Sequence, residues 1–261
     1  MSTRLLPFLD SIEVRFGPKA EIGRYFLMIA EEARQLGVSW HMMGGFERLM
    51  DVNRRQVASW DALAPMFDPE CSDVNEENTV YIEGQHQGDP VVTLALRRYD
   101  WPNSSLKEEW ESGRFAYRNP ERQRSPSETW TAASVAASRI RGRVAYGGGV
   151  WCRRDFRAKR VPVLVMALVR SVPLTLWNPD FTIGVIETGS LSRTLLPLYG
   201  NPLSEPGMRV DGGWRNVDCT LTWQTRDEAT ALILGQVSAA ANQPDKGDRG
   251  HERVVALRAP R

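Results

Sequence analysis

The feature that most narrows the fold is the run from Arg143 to Glu187. It reads "RVAYGGGVWC", then a charged turn "RRDFRAKR", then an apolar stretch "VPVLVMALVRSVPLTLW", and after a short break "FTIGVIE". The outer pieces have strand character and the apolar stretch has the length and spacing of a buried helix. A strand, a helix and a second strand in that order imply parallel neighbours joined by a right-handed crossover. The three consecutive glycines, Gly147 to Gly149, weaken a strand and so point to a bulge or a close approach by another backbone or a ligand. A strand that enters a helix through such a turn is also a place where anions bind, because the first amides of the helix are unpaired and its dipole end is positive. This turn has no glycine, however, and it carries Pro162.

Other elements assemble around that unit. Residues 20–36 place Ile22, Tyr25, Phe26, Ile29, Ala33 and Leu36 on one face of a helix, with Gly37 as its stop. A second helix is expected from Phe46 to about Gln56, and a short third one near Trp60 to Phe67, limited by Pro65. Residues 79–99 read as a hairpin turning at Gln87, Gly88 and Asp89. Residues 100–128 are polar, charged and dotted with proline, and read as an excursion from the core. Ser127 is placed to cap a helix through about Arg139, and a short helix is expected at Ser192 to Tyr199. "VDCTLTW" at 217–223 alternates like a strand, and Arg226 to Ala241 reads as a helix capped by Thr225. The expected architecture is an α/β (α+β mixed) domain over residues 1–241: a twisted mixed β-sheet with helices on both faces. From Asn242 the chain is polar and is read as a flexible tail.

Composition removes several classes of function. The formal net charge is +1, so no global field recruits nucleic acid or an anionic membrane. The three cysteines, Cys71, Cys152 and Cys219, are isolated, which argues against a disulfide framework and for a reducing, cytoplasmic compartment. His41, His86 and His251 are scattered, with no metal-ligand spacing, so no metal site is expected. "MSTRLLPFLD" lacks the long apolar core of a signal peptide, and the longest apolar run is broken by Arg170 and Pro173, so no membrane span is expected.

At Asp155-Phe156-Arg157-Ala158-Lys159-Arg160-Val161-Pro162 the sequence resembles the GNAT superfamily of acyl-CoA-dependent N-acyltransferases. In that family a strand runs into a turn with an Arg/Gln-x-x-Gly-x-Gly/Ala motif and then a helix. The motif's first arginine falls on Arg157, while its two glycine positions fall on Arg160 and Pro162. Further on, the family's Asn, small residue and Tyr correspond to Ser192, Leu195 and Tyr199, of which only the tyrosine matches. The resemblance is specific over about residues 143–200 and covers element order over most of the chain. It implies acetyl-CoA or another acyl-CoA as co-substrate, with an amine, small-molecule or protein, as acceptor. The diphosphate would lie on Arg157, Ala158, Lys159, Arg160, Val161 and Pro162, and the acyl and pantetheine arm along the backbone of Val150, Trp151 and Cys152. Tyr199 would protonate the leaving thiolate, a role suited to an ordinary pKa near ~10.

The residues themselves bear on that expectation. Glycine lets a phosphate approach successive amides, which Arg160 obstructs and Pro162 lacks, although the Arg160 guanidinium can bind phosphate in their place. Glu187, ending the second strand, is the candidate base, with Glu83 on the hairpin as second choice. Cys152 has no histidine near it in sequence and is better read as a small packed residue than as a nucleophile. The alternative to an N-acyltransferase is a non-catalytic binding module on the same fold, and its motive is the altered turn. Nucleic-acid binding through the local arginines is disfavoured by the balanced charge.

Overall fold

The structure is a computed structural model, and it describes residues 4–189, 196, 203–213 and 215–242. Among the described residues nine strands form one sheet: β1 (Leu6–Pro7), β2 (Ser39–Met43), β3 (Thr79–His86), β4 (Asp89–Trp101), β5 (Thr129–Ala132), β6 (Gly142–Cys152), β7 (Phe181–Glu187), β8 (Leu203–Asp211) and β9 (Val217–Thr225). The α-helical segments bounded within the described residues are α1 (Phe8–Ser11), α2 (Lys19–Gln35), α3 (Glu47–Arg55), α4 (Leu106–Glu111), α5 (Pro120–Gln123), α6 (Arg154–Arg157), α7 (Val161–Trp177) and α8 (Arg226–Ala241). The strand order is β1-β2-β3-β4-β6-β7-β9-β8-β5. Among the described residues only β6 and β7 run parallel, and α7 is the crossover between them, as a parallel neighbour requires.

Alternate residues of each strand enter one of two apolar clusters, one on each face of the sheet. On the first face Val80, Ile82, Val92, Leu94, Leu96 and Ala145 meet α2, α7 and α8. On the second, Tyr81, Ala95, Tyr99, Val144, Tyr146 and Ile183 meet α3, α4 and the segments around them. The mixed sheet covered on both faces is thus the architecture expected from the sequence. The hairpin turns at Gln87 and Gly88, both with positive φ (54° and 86°), the two-residue geometry whose twist suits flanking strands. Pro162 sits in the first turn of α7, where a missing amide costs nothing, and Asn178 closes the helix in the left-handed region.

Three expectations are corrected. The third helix shrinks to one 3-10 turn, Pro65–Phe67. The helix expected after Ser127 is instead the edge strand β5 and a 3-10 turn at Ala136–Ser138. There Trp130 and Ala132 point inward while Thr129 and Thr131 face out, a strand's alternation that overrides the helix start signal. Residues 100–128 do not leave the core: Trp101, Leu106, Trp110, Phe115 and Tyr117 are buried on the second face, and Ser105 with Glu108 forms a capping box for α4. Strands β2 and β8 join the sheet without having been expected. The helix expected at Ser192 to Tyr199 and the tail beyond Asn242 lie outside the described residues.

The cap of α8 is as expected. Thr225 accepts from the Glu228 amide and Glu228 reaches back to the Thr225 amide. Thr225→Ala is expected to lower unfolding stability by about 1 kcal/mol, read from urea denaturation.

Candidate active site

The site grows from the way β6 and β7 part. They pair in parallel over Val144–Gly147 and Phe181–Gly184, and beyond Gly147 and Gly184 the pairing stops although both strands continue. The cause is visible on the other edge of β6. Thr93 pairs with Trp151 and Ala95 with Gly148, so one residue of β4 is opposed by two of β6, Gly149 and Val150. This is a β-bulge. Gly149 has φ +57°, and a side chain there would press on Ala95 Cβ at 3.0 Å. The Thr93 hydroxyl mends the ladder: it donates to the Gly149 carbonyl (2.9 Å) and accepts from the Trp151 amide (3.1 Å). A bulge bends its strand, and we take the unpaired interval between β6 and β7 past Gly147 and Gly184 as the candidate slot.

Exposure agrees with an open slot. Gly147, Gly148, Gly149, Gly184 and Val185 keep partial exposure although they lie in the middle of a nine-stranded sheet. Val150 is 43% exposed. On the second face the segment between α3 and the 3-10 turn crosses the end of β6. Trp60 stacks on Trp151 (centroids 6.0 Å), and Trp151 Nε1 donates to Ser59 Oγ (3.1 Å). Sequence reading placed Trp151 at the slot but gave no sign of Trp60, 91 positions earlier in the chain by the numbering.

At the head of α7 the cations are largely committed to the protein. Arg153 grips Asp155 (2.8 and 2.9 Å), and Arg157 Nε donates to the Cys152 carbonyl (2.8 Å). Arg160 Nε donates to Glu32 Oε1 on α2 (2.5 Å), a carboxylate that is 6% exposed. Lys159 Nζ lies 3.8 Å from the centroid of the buried Phe156 ring, which also meets the His86 ring at 5.3 Å. The amides of Val163 and Leu164 both turn to the Arg160 carbonyl, and Pro162 has none. Of the expected diphosphate residues, Arg157, Ala158 and Lys159 are exposed, Arg160 and Pro162 part-buried, and Val161 buried.

Glu187 ends β7 at the slot's far wall, where Arg215 Nη2 meets its Oε2 at 2.7 Å. Arg215 Nη1 lies 3.5 Å from Asp61 on the covering segment. Glu83 stands apart. Its register row passes through Thr93 before reaching Trp151, two strands away from β6. Its carboxylate accepts from Arg48 Nε and Nη2 (both 3.0 Å), Tyr81 OH (2.7 Å) and Gln85 Nε2 (2.7 Å). Burial works to raise its pKa, but the bonds from Arg48, Tyr81 and Gln85 outweigh it and hold the carboxyl below the ordinary value. Four donors make it a structural clamp for α3. Burial pushes the Cys152 thiol up to about 11, so it stays protonated at neutral pH and is a poor nucleophile. Tyr199 lies outside the described residues.

Among the described residues no group of three or more His, Cys, Asp or Glu side chains is placed to hold a metal, and no helix is long and apolar enough to cross a membrane. No family model and no curated protein matches the chain. Solved structures similar to it include Arabidopsis thaliana NAA60 in complex with acetyl-CoA, at 11% identity and TM-score 0.42, covering 72% of this chain and 99% of that one. Mycobacterium smegmatis RimJ in complex with CoA-disulfide is similar at 11% identity and TM-score 0.41, covering 78% and 90%. The CoA-dependent acyl-homoserine lactone synthase BjaI, with SAM and isopentyl-CoA, is similar at 14% identity and TM-score 0.38, covering 84% and 82%.

Proposed function

We propose that the chain is an acyl-CoA-dependent N-acyltransferase. The observation that carries this reading is the slot: two parallel central strands part at Gly147 and Gly184, and the one that bulges runs on through a basic turn into α7. Backbone polar groups freed from the sheet between parted strands can bond an extended amide-bearing chain such as a pantetheine arm, as an added strand would. In this reading Val150, Trp151 and Cys152 line that arm, and Arg157 and Lys159 supply charge for the diphosphate. The acceptor amine attacks the thioester carbon, a C–N bond forms and the C–S bond breaks. The amine proton passes to Glu187, directly or through water, and the thiolate takes a proton from Tyr199.

Calorimetric titration with CoA and acetyl-CoA tests the reading. Binding at micromolar to millimolar ligand is expected, and no heat at millimolar ligand would remove it. Arg157→Ala is expected to weaken CoA binding about tenfold, the size of one charge-assisted hydrogen bond. Glu187→Gln is expected to spare binding and slow thiol release in the presence of a panel of amines. The engagement of Arg160 by Glu32, together with Pro162, favours a second reading, a module that binds acyl-CoA without turning it over. Binding without thiol release for any amine would select it.

A further inference from the structure

Helix α7 is enclosed on almost every side, yet Pro162, Val163 and Val169 keep partial exposure. Pro162 and Val163 open at the head of the helix. Val169 lies roughly 10 Å further along the axis, at 1.5 Å per residue, deep over the sheet. It stands directly above the place where the strands part. A Cβ added to Gly147 would meet Val169 Cγ1 at 2.9 Å and Cγ2 at 3.3 Å, and one added to Gly184 would meet Thr222 Oγ1 at 2.9 Å. The isopropyl group and the threonine hydroxyl therefore occupy the space that two glycines leave free. Behind Val169, the side chains of Val165, Leu168 and Val172 are fully buried. Val169 thus keeps partial exposure where its neighbours Val165, Leu168 and Val172 keep none, and it packs over Gly147, the last residue of β6 paired with β7.

We infer that Val169 over Gly147, with Thr222 over the paired Gly184, sets the length of the acyl group that the slot accepts, and that it selects short chains. The inference rests on the acyl-CoA reading. A thioester whose sulfur lies along the parted strands projects its acyl chain toward the Gly147–Gly184 vertex, where the valine methyls meet it. An acetyl group stops short of them, while a hexanoyl chain would have to displace them. Packed interiors resist that displacement, because a core side chain sits in one rotamer well among close neighbours.

The test is a set of calorimetric titrations of CoA, acetyl-CoA and hexanoyl-CoA into the wild-type chain, Val169→Ala and Val169→Ile. Wild type is expected to bind acetyl-CoA more tightly than hexanoyl-CoA. Val169→Ala is expected to shift that ratio about tenfold toward hexanoyl-CoA, the gain from burying one or two more methylenes, with CoA affinity unchanged. Val169→Ile, which keeps the shape of the core, is expected to move the ratio the other way and answers the case in which the alanine variant does not fold. An unchanged ratio in the folded variants, with CoA still bound, would overturn the inference and leave the acyl-CoA reading standing. Failure of wild type to bind CoA at all would overturn both.

Discussion

Arg48→Ala is expected to lower the unfolding free energy by about 3–5 kcal/mol, because it strands a charge in the core. The Glu83 side chain is fully buried, and Arg48 supplies two of the four bonds that satisfy it. Without the guanidinium, the carboxylate keeps Tyr81 and Gln85 but loses its countercharge beneath α3. For a domain of this size the loss corresponds to a fall of roughly 10 °C in Tm. The pH dependence has a definite sign. In the wild type the Glu83 pKa is lowered, so its contribution is present above the unfolded carboxyl value of 4.5 and is lost as pH falls through the folded value. In the variant burial is no longer outweighed and the pKa rises, so protonation relieves the strain. The stability gap between the two proteins should therefore be wide at neutral pH and narrow as pH falls below the ordinary carboxylate range. Urea denaturation at neutral and acidic pH measures it, and a gap that stays constant would mean that the ion pair is not the cause. Replacing both partners by apolar residues of similar volume is expected to restore most of the loss.

The second large effect is expected from Thr93→Val, a change that keeps shape and removes one hydroxyl. Thr93 is fully buried and its oxygen serves both the Gly149 carbonyl and the Trp151 amide. Valine removes the hydroxyl's bonds to both buried backbone groups, at a cost of about 1–3 kcal/mol for a group left unsatisfied. The protein can escape that cost by ironing out the bulge, but a one-residue slip would turn Trp151 and Cys152 to the opposite faces of the sheet. Either way the slot changes shape, and acyl-CoA affinity is expected to fall more than tenfold. Thr93→Ser keeps the hydroxyl and is expected to restore binding. Amide hydrogen exchange at Trp151 gives an independent readout: fast in the valine variant, slow in wild type and serine. Wild-type affinity in a folded valine variant would show that the bulge has no part in binding.

Local signals carried the central unit into view because every one of its cues is contiguous. The β-rich run with three glycines, the turn and the apolar helix lie within one stretch, and their order alone requires a parallel pair. The hairpin and the capped helix α8 were legible for the same reason. Strands β2 and β5 were hidden because five and four residues give too little alternation to register, and they exist by pairing with longer neighbours. The turn before α7 marks the limit. Its residues suggest a guanidinium available to a phosphate, but Arg160 is bonded to Glu32, which is 128 positions away and visible only as one acidic residue of an amphipathic helix. Likewise Glu83 reads from the sequence as a second-choice base on the hairpin. Its donors Tyr81 and Gln85 are close in sequence, but the decisive Arg48 arrives with a helix that packs over the strand.

The indole pair formed by Trp60 and Trp151 has a practical consequence. The two rings stack where β6 runs past its last pairing with β7, one on the bulged strand and one on the segment laid over it. A molecule bound beside Trp151 is expected to change the distance, the tilt or the wetting of these rings. On the acyl-CoA reading the pair is expected to serve as an optical gauge: a change in tryptophan emission on adding CoA, absent in Trp60→Phe, would report occupancy without a label.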